Sequence, residues 1–160
     1  MGMMFNLFKK KEELISPVSG SLIPITEVND QVFSKKLMGD GFAILPEEGD
    51  IYAPMSGTIS FYFPTKHALG IKTENEVEVL IHMGLDTVEL QGEGFISCVN
   101  EGQKVKQGEK LAIMDLKAIK AKGYDCTVII IFPKSTVESL ETYINIKHHQ
   151  KITLKLQTIE

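Results

Sequence analysis

From about residue 15 onward, short apolar runs are cut every few residues by Gly, Pro, Asn or Asp. A globular helix needs roughly 8–20 residues of sustained apolar periodicity, whereas a strand needs only about 4–8. The punctuation therefore commits the chain to strands. Residues 15–25, 41–46, 52–63, 67–72, 77–83, 110–114 and 127–132 read as strands. Gly39-Asp40-Gly41, Glu48-Gly49-Asp50 and Gly92-Glu93-Gly94 read as turns between them. Many short strands at this spacing predict an all-β fold, an antiparallel β-sandwich or barrel. Residues 30–38, 116–122 and 136–143 are expected to be short helices.

One stretch is echoed. Ser16-Pro17-Val18-Ser19-Gly20-Ser21-Leu22 resembles Ala53-Pro54-Met55-Ser56-Gly57-Thr58-Ile59. Proline at the start of each unit sits where a missing donor does least harm to a ladder. The repeat predicts two similar hairpin layers packed face to face. The run from Glu101 to Leu111, with Gly102, Val105 and Gly108, resembles the hairpin of biotinyl and lipoyl carrier domains. That hairpin implies a barrel-sandwich hybrid. At 160 residues the chain suits a single domain. The expected division is a flexible tail over 1–14 and one domain over 15–160.

The formal charge is −4, too mild for a nucleic-acid-binding face. All 17 basic residues are lysine. No guanidinium fork is present to hold a phosphate monoester bidentately, which favours a passing phosphoryl group over permanent capture. Cys98 and Cys126 lack metal-ligand spacing and read as two buried thiols in a reducing cytosol. No apolar run approaches the ~20 residues that span a bilayer. The start, MGMMFNLFKKK, has its charges after its apolar part, the reverse of a secretory signal. Met3, Met4, Leu7 and Phe8, followed by Lys9, Lys10 and Lys11, could form a weak lipid-surface foot, but a frayed tail is the preferred reading.

Four histidines carry the chemistry. His148 and His149 lie in a polar segment and read as solvated surface. His82 ends the run Glu78-Val79-Leu80-Ile81-His82-Met83-Gly84. Alternation puts Val77, Val79 and Ile81 on a core face and Glu78, Leu80 and His82 on the other. Gly84 would let the chain turn so that a backbone carbonyl meets the ring, fixing one nitrogen as donor and freeing the other as nucleophile. His67 starts the neighbouring strand. A hairpin around residues 73–76 predicts His67 opposite His82, Leu69 opposite Leu80 and Ile71 opposite Glu78. Facing residues lie ~5 Å apart, so two adjacent imidazoles are expected on one face. Such a pair is structural, part of a metal site, or a nucleophile with its supporting donor.

His82-Met83-Gly84-Leu85-Asp86-Thr87-Val88 closely resembles the phosphorylation motif of glucose-type enzyme IIA of the bacterial sugar phosphotransferase system. Thr65-Lys66-His67-Ala68 resembles the segment holding that family's second active-site histidine. Gly39-Asp40-Gly41, Pro54–Gly57 and Gly92-Glu93-Gly94-Phe95 match in order, and the likeness runs from about Ile15 to Phe132. The resemblance implies a phosphotransferase component. A histidine-containing phosphocarrier protein would donate a phosphoryl group to His82, which would pass it to a cysteine of a IIB domain or IICB permease. It further implies that His67 supports onward transfer and that Thr65 orients His67. Asp30, Val32, Phe33, Phe63, Leu80 and Val88 would form the docking rim, with Asp86 beside the active histidine; Asp40 is counted with that rim as an acidic group able to meet partner lysines. No cofactor is required. Zinc at His67 and His82, with a further ligand from a partner, is implied for some members, as are regulatory target proteins. The location implied is cytoplasmic, with membrane contact through a partner.

Two other classes compete. A zinc-dependent hydrolase of the related sandwich architecture needs a further ligand that no HxH or HExxH motif supplies. A regulatory or swinging-arm module would use a lysine such as Lys117, whose flanks form no biotin motif.

Overall fold

The computed structural model describes residues 10–159. In chain order the strands are β1 Lys10–Ile15, β2 Gly20–Pro24, β3 Asp40–Pro46, β4 Asp50–Tyr52, β5 Gly57–Tyr62, β6 Ala68–Lys72 and β7 Glu78–Met83. They continue with β8 Phe95–Ser97, β9 Lys104–Val105, β10 Lys110–Met114, β11 Val128–Phe132, β12 Ser135–Glu138, β13 Ile144–Ile146 and β14 Lys151–Thr158. Two short helices, α1 Gln31–Ser34 and α2 Leu116–Ala121, and 3-10 turns complete the fold. One sheet has eight strands in the order β13-β2-β3-β11-β7-β6-β5-β9. Two three-stranded sheets, β1-β14-β12 and β4-β10-β8, accompany it. The strands pair antiparallel in all three sheets, so the all-β expectation holds.

The eight-stranded sheet is apolar on both faces near its centre, and β11 shows why. Its sequence VIIIF is buried at every position. Val128, Ile130 and Phe132 join the main core with Phe42, Ile44, Leu69, Ile71, Val79, Ile81 and Met83. Ile129 and Ile131 join a second cluster with Ile25, Val28, Phe33, Ala43 and Leu85, against which Leu80 packs. The segment containing the 3-10 turn Ile25–Glu27 and α1 thus covers one flank of the outer face. Strand β7 borders that cover and alternates half-buried with buried residues, as its sequence predicts.

The echoed units are corners. Pro17 and Pro54 lie where the chain leaves a three-stranded sheet and enters the eight-stranded one, between β1 and β2 and between β4 and β5. Ile15 N–H donates to Pro54 O at 3.1 Å, and Tyr52 N–H donates to Pro17 O at 2.8 Å. These bonds join equivalent positions of the two units reciprocally, a local two-fold relation. The expected strands over 15–25 and 52–63 are therefore each broken at the corner.

Other expectations need correction. Lys10 to Leu14, assigned to a tail, form most of β1, which pairs along its whole length with β14. The apolar residues proposed as a lipid foot lie outside the described residues. Residues 136–143 are not helical. Thr136 and Val137 favour the extended chain, Val137 N–H is held by Asp40 Oδ2 at 2.8 Å, and Ser139 and Tyr143 turn through positive φ. Helix α1 stops at Ser34 because Lys36 adopts φ 59°. Cys98 is exposed, while Cys126 is buried as expected. No described helix is long and apolar enough to cross a membrane.

Candidate functional site

Strand β7 delivers His82 to the outer face beside β11, with Ile129 as its register partner, and Ala68 is its partner on β6. The β6–β7 register therefore differs by one residue from the expected pairing. The reason lies in the turn. Glu76 takes φ 65°, and Thr73 N–H donates to Val77 O at 2.9 Å. The loop thus holds Glu74, Asn75 and Glu76, the three-residue hairpin with a left-handed last residue, where a two-residue loop had been expected. A one-residue slip would normally send His67 to the opposite face. His67 escapes because β6 starts at Ala68 and Lys66 turns through φ 62°. Its ring leaves the alternation and meets His82 edge-on, with centroids 5.0 Å apart.

The pair is walled by aromatic rings. Phe33 lies 4.8 Å from His82, Phe63 5.5 Å from His67, and Phe61 5.1 Å from Phe63, centroid to centroid. Gly70 makes room for Phe61, since a Cβ there would sit 2.3 Å from the Phe61 ring. Phe61 was not anticipated from sequence; its offset of two from Phe63 on one strand was the available signal.

Each imidazole has one nitrogen engaged. His82 Nδ1 lies 2.7 Å from Gly84 O. A carbonyl only accepts, so Nδ1 carries the proton and Nε2 keeps its lone pair. His67 Nδ1 lies 2.7 Å from Thr65 Oγ1. Burial, helped by the neighbouring His82, pushes the His67 pKa down to about 4. Burial also lowers the His82 pKa, while the Gly84 carbonyl, Asp30 and Asp86 pull it the other way. Both rings are consequently neutral at neutral pH, the state in which imidazole is a nucleophile.

This has a stability consequence. With the folded pKa near 4 and the ordinary value 6.5, the unfolded chain takes up the His67 proton first as pH falls. Folding stability should drop between pH 6.5 and about 4 and level off below, by about 3 kcal/mol from this residue. Denaturant titrations of wild type and His67→Gln across that window should show a shallower pH slope in the variant. Equal slopes would contradict a buried neutral His67.

Gly84 holds the corner. Its φ is 87°, and an added Cβ would lie 2.4 Å from Thr87 Cγ2 and 2.9 Å from Asp125 O. Gly84→Ala is expected to cost about 1–3 kcal/mol in denaturation experiments, from left-handed strain and overpacking. It should also displace the carbonyl that orients His82.

Three residues of the expected rim are exposed near the histidine pair. Val32, Phe63 and Val88 are 43–47% exposed. Val32 stands on α1, Phe63 stacks on His67, and Val88 lies on the 3-10 turn after Gly84. Leu37 and Met38 are also exposed and were missed, because residues 30–38 were read as a continuous helix. Leu80 is half-buried against the second cluster. Asp30 caps α1 through Val32 N–H at 2.8 Å, and Asp86 is exposed at φ 57°. Two rim residues behave otherwise. Phe33 is buried against His82. Asp40 is 9% exposed and accepts from Gly41 N–H and Val137 N–H, with Lys36 Nζ at 3.4 Å. Its carboxylate braces β3 to β12.

Each ring of the pair leaves one nitrogen unengaged, and among the described residues no group of three His, Cys, Asp or Glu is arranged to hold an ion. Catalytic zinc sites use three protein ligands, and no such set occurs among the described residues. Lys117 is exposed on α2, away from any hairpin tip. His148 and His149 are less free than expected: His148 Nδ1 lies 3.0 Å from Ser19 Oγ, His149 Nε2 3.1 Å from Gly108 O, and both rings pack on Tyr52.

A family model described as "phosphoenolpyruvate-dependent sugar phosphotransferase system, EIIA 1" matches residues 12–137. The chain belongs to this EIIA family. It is 45% identical over 134 residues to the PTS system glucose-specific EIIA component of Mycoplasma capricolum, covering 84% of this chain and 87% of that one. Identity is 50% over 121 residues to the PTS system glucose-specific EIICBA component of Streptococcus pneumoniae, covering 76% of this chain and 17% of the relative. It is 47% over 130 residues to the PTS system glucosamine-specific EIICBA component of Bacillus subtilis, covering 81% and 21%. This EIIA-family chain therefore spans about a fifth of those two longer relatives. The solved structure of glucose permease IIA from Mycoplasma capricolum superposes with TM-score 0.83 at 40% identity, covering 91% of this chain and 96% of that one. The barrel-sandwich expectation and the family assignment thus agree.

Proposed function

We propose that this chain is a cytoplasmic phosphocarrier in sugar uptake, with His82 Nε2 as the acceptor atom. The observation that carries the reading is the 2.7 Å contact between His82 Nδ1 and Gly84 O, which leaves Nε2 unprotonated and directed away from the backbone. The donor is a phosphohistidine on a histidine-containing phosphocarrier protein. The Nε2 lone pair attacks phosphorus, the P–Nε2 bond forms, and the donor's P–N bond breaks with its electron pair returning to the donor imidazole. No proton leaves His82. Onward transfer to a IIB-domain cysteine, alone or within a IICB permease, reverses the sense: thiolate attacks phosphorus and the P–Nε2 bond breaks. Fused EIICBA relatives support that partner class.

His67 acts as the supporting donor. Its low pKa leaves the ring neutral at neutral pH; in the tautomer where the Thr65 hydroxyl donates to Nδ1, the proton sits on Nε2 and can face phosphoryl oxygens. Phosphoryl transfer asks mainly for positioning and charge stabilisation. The apolar rim of Val32, Phe63 and Val88 excludes water once a partner docks.

Incubation with phosphoenolpyruvate, enzyme I and the phosphocarrier protein tests the reading. Acid-labile, alkali-stable label on the chain, chased by a IIB domain, is the expected result. Wild-type protein that takes no label would sink it.

A further inference from the structure

The β7–β11 ladder ends at the pair Met83–Val128, yet the peptide that orients His82 lies beyond it. Gly84 N–H donates to Thr127 O at 2.8 Å, and Leu85 N–H donates to Asp125 O at 2.9 Å. Both acceptors belong to the loop before β11, which the ladder does not hold. What holds it is Asp125 Oδ1, which accepts from Thr127 N–H at 2.7 Å and from Thr127 Oγ–H at 2.6 Å. Aspartate two residues ahead of its own donor is a local turn clamp, and a charged acceptor shortens and strengthens both bonds. On the other side of the corner, Thr87 Oγ–H donates to Met83 O at 2.6 Å. The Gly84 peptide is thus gripped between two braces, and only the Asp125 brace lies outside the histidine motif.

We infer that Asp125 is a positioning residue for His82: its carbonyl holds the Leu85 N–H of the peptide that carries Gly84 O, its side chain fixes the loop through Thr127, and together they set the tautomer of the acceptor ring. The inference rests on the phosphocarrier reading, because a fixed tautomer matters only if Nε2 must present a lone pair. Asp125 is exposed and touches neither imidazole directly, so its influence runs through the backbone. A merely structural role would change loop stability and leave the ring's protonation pattern alone.

The test is nitrogen NMR of histidine-labelled protein above the titration range, paired with the rate of label uptake. Wild type should show His82 as a single Nδ1–H tautomer. In Asp125→Ala the ring should become a mixture with Nε2–H, and uptake should fall about 10- to 100-fold, as when orienting partners are lost. Asp125→Asn keeps an acceptor oxygen and should restore both readouts. Thr127→Val removes one of the two bonds and should fall between. A folded Asp125→Ala with wild-type tautomer and uptake, or one that loses only thermal stability, would overturn the inference. If Asp125→Ala does not fold, a Thr127→Val protein matching wild type on both readouts overturns it. The two proposals separate cleanly: wild type without label defeats the phosphocarrier reading, while the tautomer comparison still decides the role of Asp125.

Discussion

Replacing His82 by alanine should eliminate acid-labile labelling, a loss on the order of 10⁶-fold of the kind seen when a covalent nucleophile is removed. The expectation follows from the count of nucleophiles. His67 has Nδ1 engaged by Thr65, is 4% exposed, and sits behind Phe63. It cannot take over the acceptor role without breaking that arrangement. His148 and His149 are held against Tyr52, at the β13–β14 turn. The variant should still fold, because His82 is only half-buried and lies on the outer face near the end of β7. Mass spectrometry of the intact chain after exposure to the phosphorylated donor reads the result directly. A labelled His82→Ala protein would move the acceptor elsewhere.

His67→Ala should give the second-largest effect, and a different one. Label should still arrive on His82, since Nε2 and its Gly84 brace are untouched. Discharge to a IIB cysteine should slow by about 10²–10⁴-fold, the usual contribution of a positioned proton donor. His67→Gln retains an N–H and should recover part of that loss. Single-turnover chase of pre-labelled protein separates the steps. Uptake and discharge falling together would mean that His67 merely shapes the pocket. Thr65→Ala should resemble a weaker His67→Ala, because it frees the ring to choose its tautomer.

Both predictions depend on geometry that sequence reading approached from one side. Alternation along β7 placed His82 opposite Val79 and Ile81, and β7 carries that pattern. The sequence likewise predicts a turn at Gly84 that brings a backbone carbonyl to the His82 ring, and in the structure that carbonyl is Gly84 O. The pairing of His67 with His82 came out right in contact and wrong in register. A two-residue loop had been assumed, and the left-handed Glu76 adds a third residue. Register depends on turn type, and Thr-Glu-Asn-Glu carries no Gly to announce a left-handed position. Asp40 misled in a similar way. Its carboxylate reads as a group able to meet partner lysines, whereas in the structure it accepts from the adjacent Gly41 N–H and from Val137 N–H of β12, far along the chain. The reading of residues 136–143 as a helix failed because β14, which pairs with β12, lies beyond that window.

By itself the sequence determined what local chemistry controls: strands over helices, from the spacing of turn residues; the core face of β7, from its two-residue period; and the histidine motifs, from residues adjacent in the chain. Only tertiary structure decided what depends on distant partners. The packing of Phe33 and Phe61 around the imidazoles, the employment of Asp40, the conversion of a supposed tail into β1, and the grip of Asp125 on the Gly84 corner all belong there. The physical reason is that hydrogen bonds and burial are satisfied wherever a partner can be brought within about 3 Å, and sequence separation puts no bound on which partner that is.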